Sequence, residues 1–233
     1  SGIADRVTET PVVDGSGLKD SLERTTVRWM QEQGLVDFAT AKVLVTCGID
    51  RFGLAETLDE MDAHVVFGDT MFILGLPWPV PSLRALQALG RIALPIVTRL
   101  PFRWVYPTGG KQDEIVPKYE KQYHGADVIA GDFHYIRRHM PDDLSGKVIL
   151  TNTITTDDVK ELRKRGVRLL VTSSPVIGDR TFATNVMQGA FVCLLDRRPE
   201  GIGTEDYARI ARQMGWEPTV RDLTEPAHEE RTE

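Results

Sequence analysis

Short runs of apolar, β-branched residues that stop at glycine constrain the fold of this chain more than any other feature. Residues 42–47, 64–67 and 126–130 are such runs, and they lead into Gly48, Gly68 and Gly131. Runs of four to six residues are too short for core helices and read as strands buried on both faces. Residues 147–151 and 167–172 repeat the pattern. Between the runs lie stretches of helical composition at 18–33, 54–61, 133–139, 155–165, 183–195 and 204–214, with a short extended piece at 10–13. Gly34 and Gly166 stand where two of the helices should stop. Thr155 is placed as an N-cap, with Asp157 and Asp158 in the first turn and Arg163, Lys164 and Arg165 in the last. Strands alternating with helices over short connections predict an α/β fold, a Rossmann-like doubly wound parallel sheet.

Composition narrows the function classes. The 233 residues carry 28 basic and 34 acidic side chains, so 28 − 34 = −6. Without an excess of positive charge, a general nucleic-acid binder is not expected. Two cysteines, Cys47 and Cys193, exclude a disulfide scaffold and fit a reducing, cytoplasmic setting. Asp5, Arg6, Glu9 and Asp14 argue against a signal peptide at the start. The longest apolar, uncharged stretch, residues 70–83, contains Pro77, Pro79 and Pro81 and is too short for the ~20 residues of a membrane span.

The expected organisation is a strand–helix segment at 1–40, a short α/β remnant of a substrate domain. A dinucleotide-binding domain follows at 41–200 with an apolar insertion at 71–122. A C-terminal helix and tail occupy 201–233, with the tail frayed after Trp216. Within the insertion, Leu83, Leu86, Leu89 and Leu94 have near-helical spacing. Residues 71–106, with Trp78, Trp104 and Tyr106, suit a core-covering helix, a substrate lid, a surface for a homo-oligomer or an interfacial membrane contact.

In open α/β sheets, ligands sit beyond the carboxyl ends of the strands where strand order reverses. The turn Gly48, Ile49, Asp50, Arg51, Phe52, Gly53 follows the first buried strand and is the place for a pyrophosphate. It lacks the middle glycine of the dinucleotide fingerprint and the Lys-Ser/Thr ending of a P-loop. Asp69 lies 69 − 48 = 21 positions after Gly48, near the ~20-residue offset of the acid that holds a ribose hydroxyl pair. A carboxylate there favours NAD over NADP. S-adenosylmethionine sites use a similar acid, and the same residues also read as ordinary turn chemistry. Gly131, Asn152 and Thr153 follow later strands at the same edge, where Asn152 or Thr153 can bond a carboxamide or a substrate hydroxyl.

Five segments, TPVVDGSGLKDSLER (10–24), VLVTCGIDRFGL (43–54), VVFGDTMFILGLP (65–77), TNTIT (151–155) and TNVMQ (184–188), resemble bacterial proteins of the quinate/shikimate 5-dehydrogenase-like group. The resemblance implies a Rossmann domain, NAD or NADP as cofactor and a quinate- or shikimate-like hydroxyl substrate. It places Lys19, at a helix start after a glycine turn, in a setting similar to the family's catalytic lysine, with Asp14 as its partner. The Asn and Pro of that family's lysine motif are absent here. By the same resemblance Gln188, with Asn185, stands where the family holds substrate.

Carbonyl reduction needs a proton donor at the developing alkoxide. Lys19 with Asp14 is the first candidate, and Lys111 in the Gly109-Gly110 loop is the second. A solvated lysine is the plain alternative for each. His134 and His139 are spaced i, i+5 rather than i, i+4, so no metal site is expected. Cys47 reads as a small buried filler, with a redox or thioester role as the alternative. The leading expectation is an NAD(P)-dependent oxidoreductase acting on a hydroxyl or carbonyl substrate. The alternatives are a nucleotide- or partner-binding module without turnover and, behind it, an S-adenosylmethionine-dependent methyltransferase.

Overall fold

A computed structural model of the chain describes residues 10–97, 115–174, 176–177, 180–181 and 184–224. Its centre is a six-stranded sheet built from β1 (Lys42–Val45), β2 (His64–Phe67), β3 (Val128–Ala130), β4 (Val148–Thr151), β5 (Leu169–Thr172) and β8 (Thr219–Asp222). In space the order is β2-β1-β3-β4-β5-β8. The first five strands run parallel, and β8 closes the far edge antiparallel to β5. Two further strands, β6 (Val176–Ile177) and β7 (Arg180–Thr181), pair only with each other.

Period-two alternation divides the strands between two apolar layers, as a doubly wound sheet requires. Val43, Val45, Val128, Ala130, Val148, Leu150, Leu169 and Val171 point to one face. There they meet α1 (Ser16–Glu32), α2 (Phe52–Glu60) and α4 (Leu83–Val97) through Val27, Met30, Leu54, Leu58 and Leu86. Leu44, Ile129, Ile149 and Leu170, in register across four strands, point to the other face. That face is covered by α3 (Asp69–Phe72), α5 (Glu120–Gly125), α6 (Phe133–His139) and α7 (Thr156–Lys164). A third apolar cluster joins Leu18 and Leu22 of α1 to α8 (Thr184–Leu195) and α9 (Thr204–Gln213) through Phe191, Tyr207 and Ile210.

Local signals hold where the residues supply them. The Thr155 hydroxyl accepts from the Asp158 N–H at 3.2 Å, and the Asp158 carboxylate accepts from the Thr155 N–H at 3.3 Å. This reciprocal cap starts α7, and Gly166, at φ 79°, follows its end.

Two expectations are corrected. Residues 10–13 form no strand, and α1 belongs to the sheet's own covering layer through Val27 and Met30. Residues 219–222, placed in a frayed tail, form β8, and Leu223 beyond them is buried in the second layer. Residues 71–122 carry the crossover from β2 to β3, and Leu83, Ala85, Leu86 and Leu89 of α4 pack on the first layer. The outer side of α4 leaves Ile92 exposed. Trp104, Tyr106 and Lys111 lie outside the described residues.

Candidate functional site

From β1 the chain goes outward to β2, then crosses back over β1 to β3, so the direction of winding reverses between β1 and β3. The crevice beyond their carboxyl ends is where such sheets hold ligands. A 3₁₀ turn, Ile49–Arg51, follows β1 there.

The donors of this turn are already in use. The Gly48 N–H donates to Asp69 Oδ2 and the Ile49 N–H to Asp69 Oδ1, both at 2.9 Å. The Asp50 N–H bonds to Cys47, and the Arg51 N–H donates to the Gly48 carbonyl at 3.1 Å. Asp69 is 1% exposed. Burial pushes its carboxyl up, while the hydrogen bonds from Ile49 and Gly48 pull it back. A Cβ on Gly48 would lie 2.7 Å from Leu86 and from Phe67, so α4 and β2 roof the turn. One on Gly53 would lie 1.7 Å from the Asp20 carboxylate, which makes Gly53 the point where α1 closes on α2. Gly131 (φ 153°) lets β3 pass Thr46, whose Oγ1 would be 1.9 Å from an added Cβ. These glycines therefore have packing roles, and Asp69 fills the place expected for an anion. Burial, then the Asp69 charge, push the Cys47 thiol well above its ordinary value, so it sits as an inert filler.

Beside this sealed turn, the next side chains converge on an open cleft of about 450 Å³. Arg51, 2% exposed, points into a polar cluster. Its Nη1 bonds to Glu23 Oε1 and donates to Asn152 Oδ1 at 3.0 Å, and its Nη2 bonds to Asp132 Oδ1. Asn152 Oδ1 also accepts from Ser173 Oγ at 2.9 Å. Lys19 Nζ lies 2.6 Å from Asp50 Oδ2 and 4.0 Å from Asp132 Oδ2. Glu23 Oε2 and Arg51 Nε have no hydrogen-bond partner although both atoms are buried. Groups from α1 and from the ends of β1, β3, β4 and β5 thus meet in one place.

The electrostatics follow from these contacts. Burial and the Arg51 charge push Lys19 toward losing its proton. Asp132, Glu23 and the hydrogen bond to Asp50 outweigh them, and Lys19 ends above the ordinary lysine value. Burial raises Asp132, but Arg51 and Lys19 together bring it below the usual carboxylate range. Burial dominates at Glu23 and lifts it despite the Arg51 and Lys19 charges and a hydrogen bond from Asn152.

Among the candidates drawn from the sequence, Lys19, Asp14, Asp50, Arg51, Phe52, Asn152, Thr153 and Asn185 all line the cleft. Asp14 is not the partner of Lys19. Its Oδ1 accepts from the Ser16 N–H at 2.9 Å and from Ser16 Oγ at 2.6 Å, which ties it to the turn before α1. Gly15 (φ 90°) brings that turn against α8, since a Cβ on it would meet the Asn185 nitrogen at 2.7 Å. Gln188 lies outside the cleft lining, with its Nε2 donating to the Tyr207 hydroxyl at 2.9 Å between α8 and α9. Ile49 packs on the first apolar layer. Glu23 and Asp132 were missed as site residues. Lys19 and Glu23 are spaced i, i+4 on one helix face, and Asp132 follows β3 as the Gly48 turn follows β1, which are the signals that reveal them. His139 Nδ1 instead pairs with the Val116 carbonyl at 2.9 Å, far in role from this cluster. Among the described residues, no group of three or more His, Cys, Asp or Glu is placed to hold a metal ion.

A larger hollow of about 670 Å³ runs along β2 from His64 to Phe67, lined also by residues such as Lys42, Pro79 and Ser82. It lacks a buried ionic cluster, so the chemistry points to the smaller cleft. No helix among the described residues is long and apolar enough to cross a membrane.

Residues 17–223, the stretch that contains the whole sheet and nearly all of the cleft, match the model of a family described as a domain of unknown function, DUF8754. The chain belongs to that family. Family DUF8754 therefore includes α1 and β8 within one matched unit. No curated protein and no solved structure matches the chain.

Proposed function

We propose that the chain acts on a hydroxyl or carbonyl group of a small polar molecule held in the β1/β3 crevice, with Lys19 as proton donor. The observation that carries this is the Lys19 ammonium, fixed 2.6 Å from Asp50 and 4.0 Å from Asp132 over the buried Arg51 cluster. A lysine whose carboxylate neighbours hold it above its ordinary value is charged at neutral pH. It then stabilises a developing oxyanion and delivers a proton to it. An imine-forming lysine needs the opposite, a depressed value.

An NAD(P)-dependent oxidoreductase with a quinate- or shikimate-like substrate is the second reading. It is favoured by the Lys–carboxylate arrangement at the switch point and by the resemblance of five segments. Its cofactor does not fit the usual seat, because Asp69, 1% exposed, is turned inward onto the Gly48 and Ile49 N–H groups and is closed off from a ribose. The same holds for S-adenosylmethionine at that acid. Any dinucleotide diphosphate has to lie away from the β1 turn. A binding module without turnover uses the same cleft but makes no demand on the Lys19 proton.

Turnover is to be followed across a panel of hydroxy acids, polyols and their ketones, with and without NAD or NADP, and binding of each by calorimetry. Lys19→Ala is expected to lower kcat by about 10²-fold or more, the size of a lost general acid, and Lys19→Arg to restore part of the binding. A Lys19→Ala protein with unchanged turnover would remove Lys19 from the chemistry. Heat of binding with NAD or NADP alone would move the assignment to the second reading.

A further inference from the structure

We infer that the outer edge of β2 takes up a short extended segment of a partner protein as an added antiparallel strand, with acidic side chains flanking an apolar one. This goes beyond the reading of the β1/β3 crevice and does not depend on it. β2 is an edge strand, and within the sheet it pairs with β1 alone. The His64 N–H donates to the Ala41 carbonyl and the Gly68 N–H to the Val45 carbonyl, so the even-numbered residues turn their backbone groups toward β1. Phe67 turns outward instead and exchanges two bonds with Val80, at 2.8 and 2.7 Å. Val65, two residues earlier, aims its N–H and C=O the same way. Ser82 is next in that register, but it is committed to the start of α4. Its hydroxyl accepts from the Ala85 N–H and its carbonyl from the Leu86 N–H. Among the described residues nothing takes either Val65 group, and Val65 lines the hollow of about 670 Å³.

A sheet edge left open in this way is a template for a further strand. An antiparallel residue set opposite Val65 exchanges both bonds with it, as Val80 does with Phe67. Its side chain falls on the Val65 side of the sheet, toward the first apolar layer, to which Val65 and Leu83 belong. The residues before and after it point to the other side. Lys42 and His64 lie there, since they are partners in the register and Lys42 is two residues from Leu44 of the second layer. Lys121 of α5 joins them at the hollow. Asp59, the one carboxylate among the described lining residues, comes from α2 on the first side. Two lysines facing the flanking positions select glutamate or aspartate there, and the Val65 side selects an apolar residue between them.

The test uses the whole chain, with backbone amide exchange followed by NMR, and three end-blocked synthetic peptides. These are Ser-Glu-Val-Glu-Ser, the same peptide N-methylated at its valine, and Ser-Lys-Val-Lys-Ser. The Val65 amide is expected to exchange freely in the protein alone and to be slowed at least about tenfold by saturating Ser-Glu-Val-Glu-Ser. N-methylation removes the donor to the Val65 carbonyl, and the lysine peptide reverses the charges. Each is expected to bind about tenfold more weakly or worse. In the double variant Lys42→Glu, Lys121→Glu the preference is expected to turn toward the lysine peptide. The peptide series on the wild type decides the matter if that variant does not fold. A Val65 amide already protected in the free protein overturns the proposal, because the chain itself or a second copy then fills the edge, and dilution tells which. Equal binding of either control peptide overturns it as well, as does binding that leaves Val65 exchange unchanged. Absence of binding by Ser-Glu-Val-Glu-Ser at millimolar concentration has the same force.

Discussion

A lysine ringed by carboxylates answers pH differently from one that is merely half-buried. Burial and Arg51 alone would lower Lys19, yet Asp132, Glu23 and Asp50 raise it above the unfolded value. Its ion pairs therefore stabilise the fold fully below about pH 10.4 and lose that contribution as pH rises through the higher folded value. Lys19→Met keeps the stem and removes the charge. The difference in Tm between wild type and Lys19→Met should be constant up to about pH 10 and shrink above it. A difference that stays constant to higher pH would show that the carboxylates do not hold the proton. Lys19 was legible in the sequence as a charged residue at a helix start, but its partner was not. Asp14 is close in sequence and is consumed by Ser16, whereas Asp50 and Asp132 approach only after β1 and β3 are side by side.

At the scale of elements, the turn after β1 depends on a residue from the start of α3. Asp69→Ala removes the acceptor of the buried Gly48 N–H and the half-buried Ile49 N–H. Each orphaned donor costs roughly 1–3 kcal/mol, so a loss of about 3 kcal/mol is expected in urea unfolding. Asp69→Asn, which retains one carbonyl oxygen, should fall between the two. A loss under about 1 kcal/mol for Asp69→Ala would mean that water replaces the carboxylate with ease. The spacing from Gly48 correctly brings this acid beside the turn. It cannot say whether a ligand or the turn itself takes the carboxylate, because that depends on Leu86 and Phe67 closing over it. Strands and helices were legible because alternating apolar runs and glycine stops are local. β8 was not, since Thr219, Val220 and Arg221 carry no apolar run of their own and are ordered by pairing with β5.

For the whole molecule, the ends of the matched stretch are structural parts of the sheet and its cover. A chain shortened after Trp216 loses β8, uncovers the edge of β5 and removes the buried Leu223. An exposed parallel-sheet edge is a template for pairing with other chains. This truncation is expected to aggregate, or to lose cooperative unfolding, in size-exclusion and urea experiments. A monomer with wild-type stability would show β8 to be dispensable.

The meeting of α1 with α8 and α9 orders events in time as well as in space. Within this sequence α1 is made first, and α8 and α9 follow only after five parallel strands have left the ribosome. Until then Leu18 and Leu22 lack the partners that cover them, and Lys19 has no neighbouring Asn185 across the cleft. A nascent chain halted between β5 and α8 therefore has most of its sheet and an unfinished cleft. Ligand protection of arrested chains should appear abruptly, near the end of synthesis, rather than grow strand by strand.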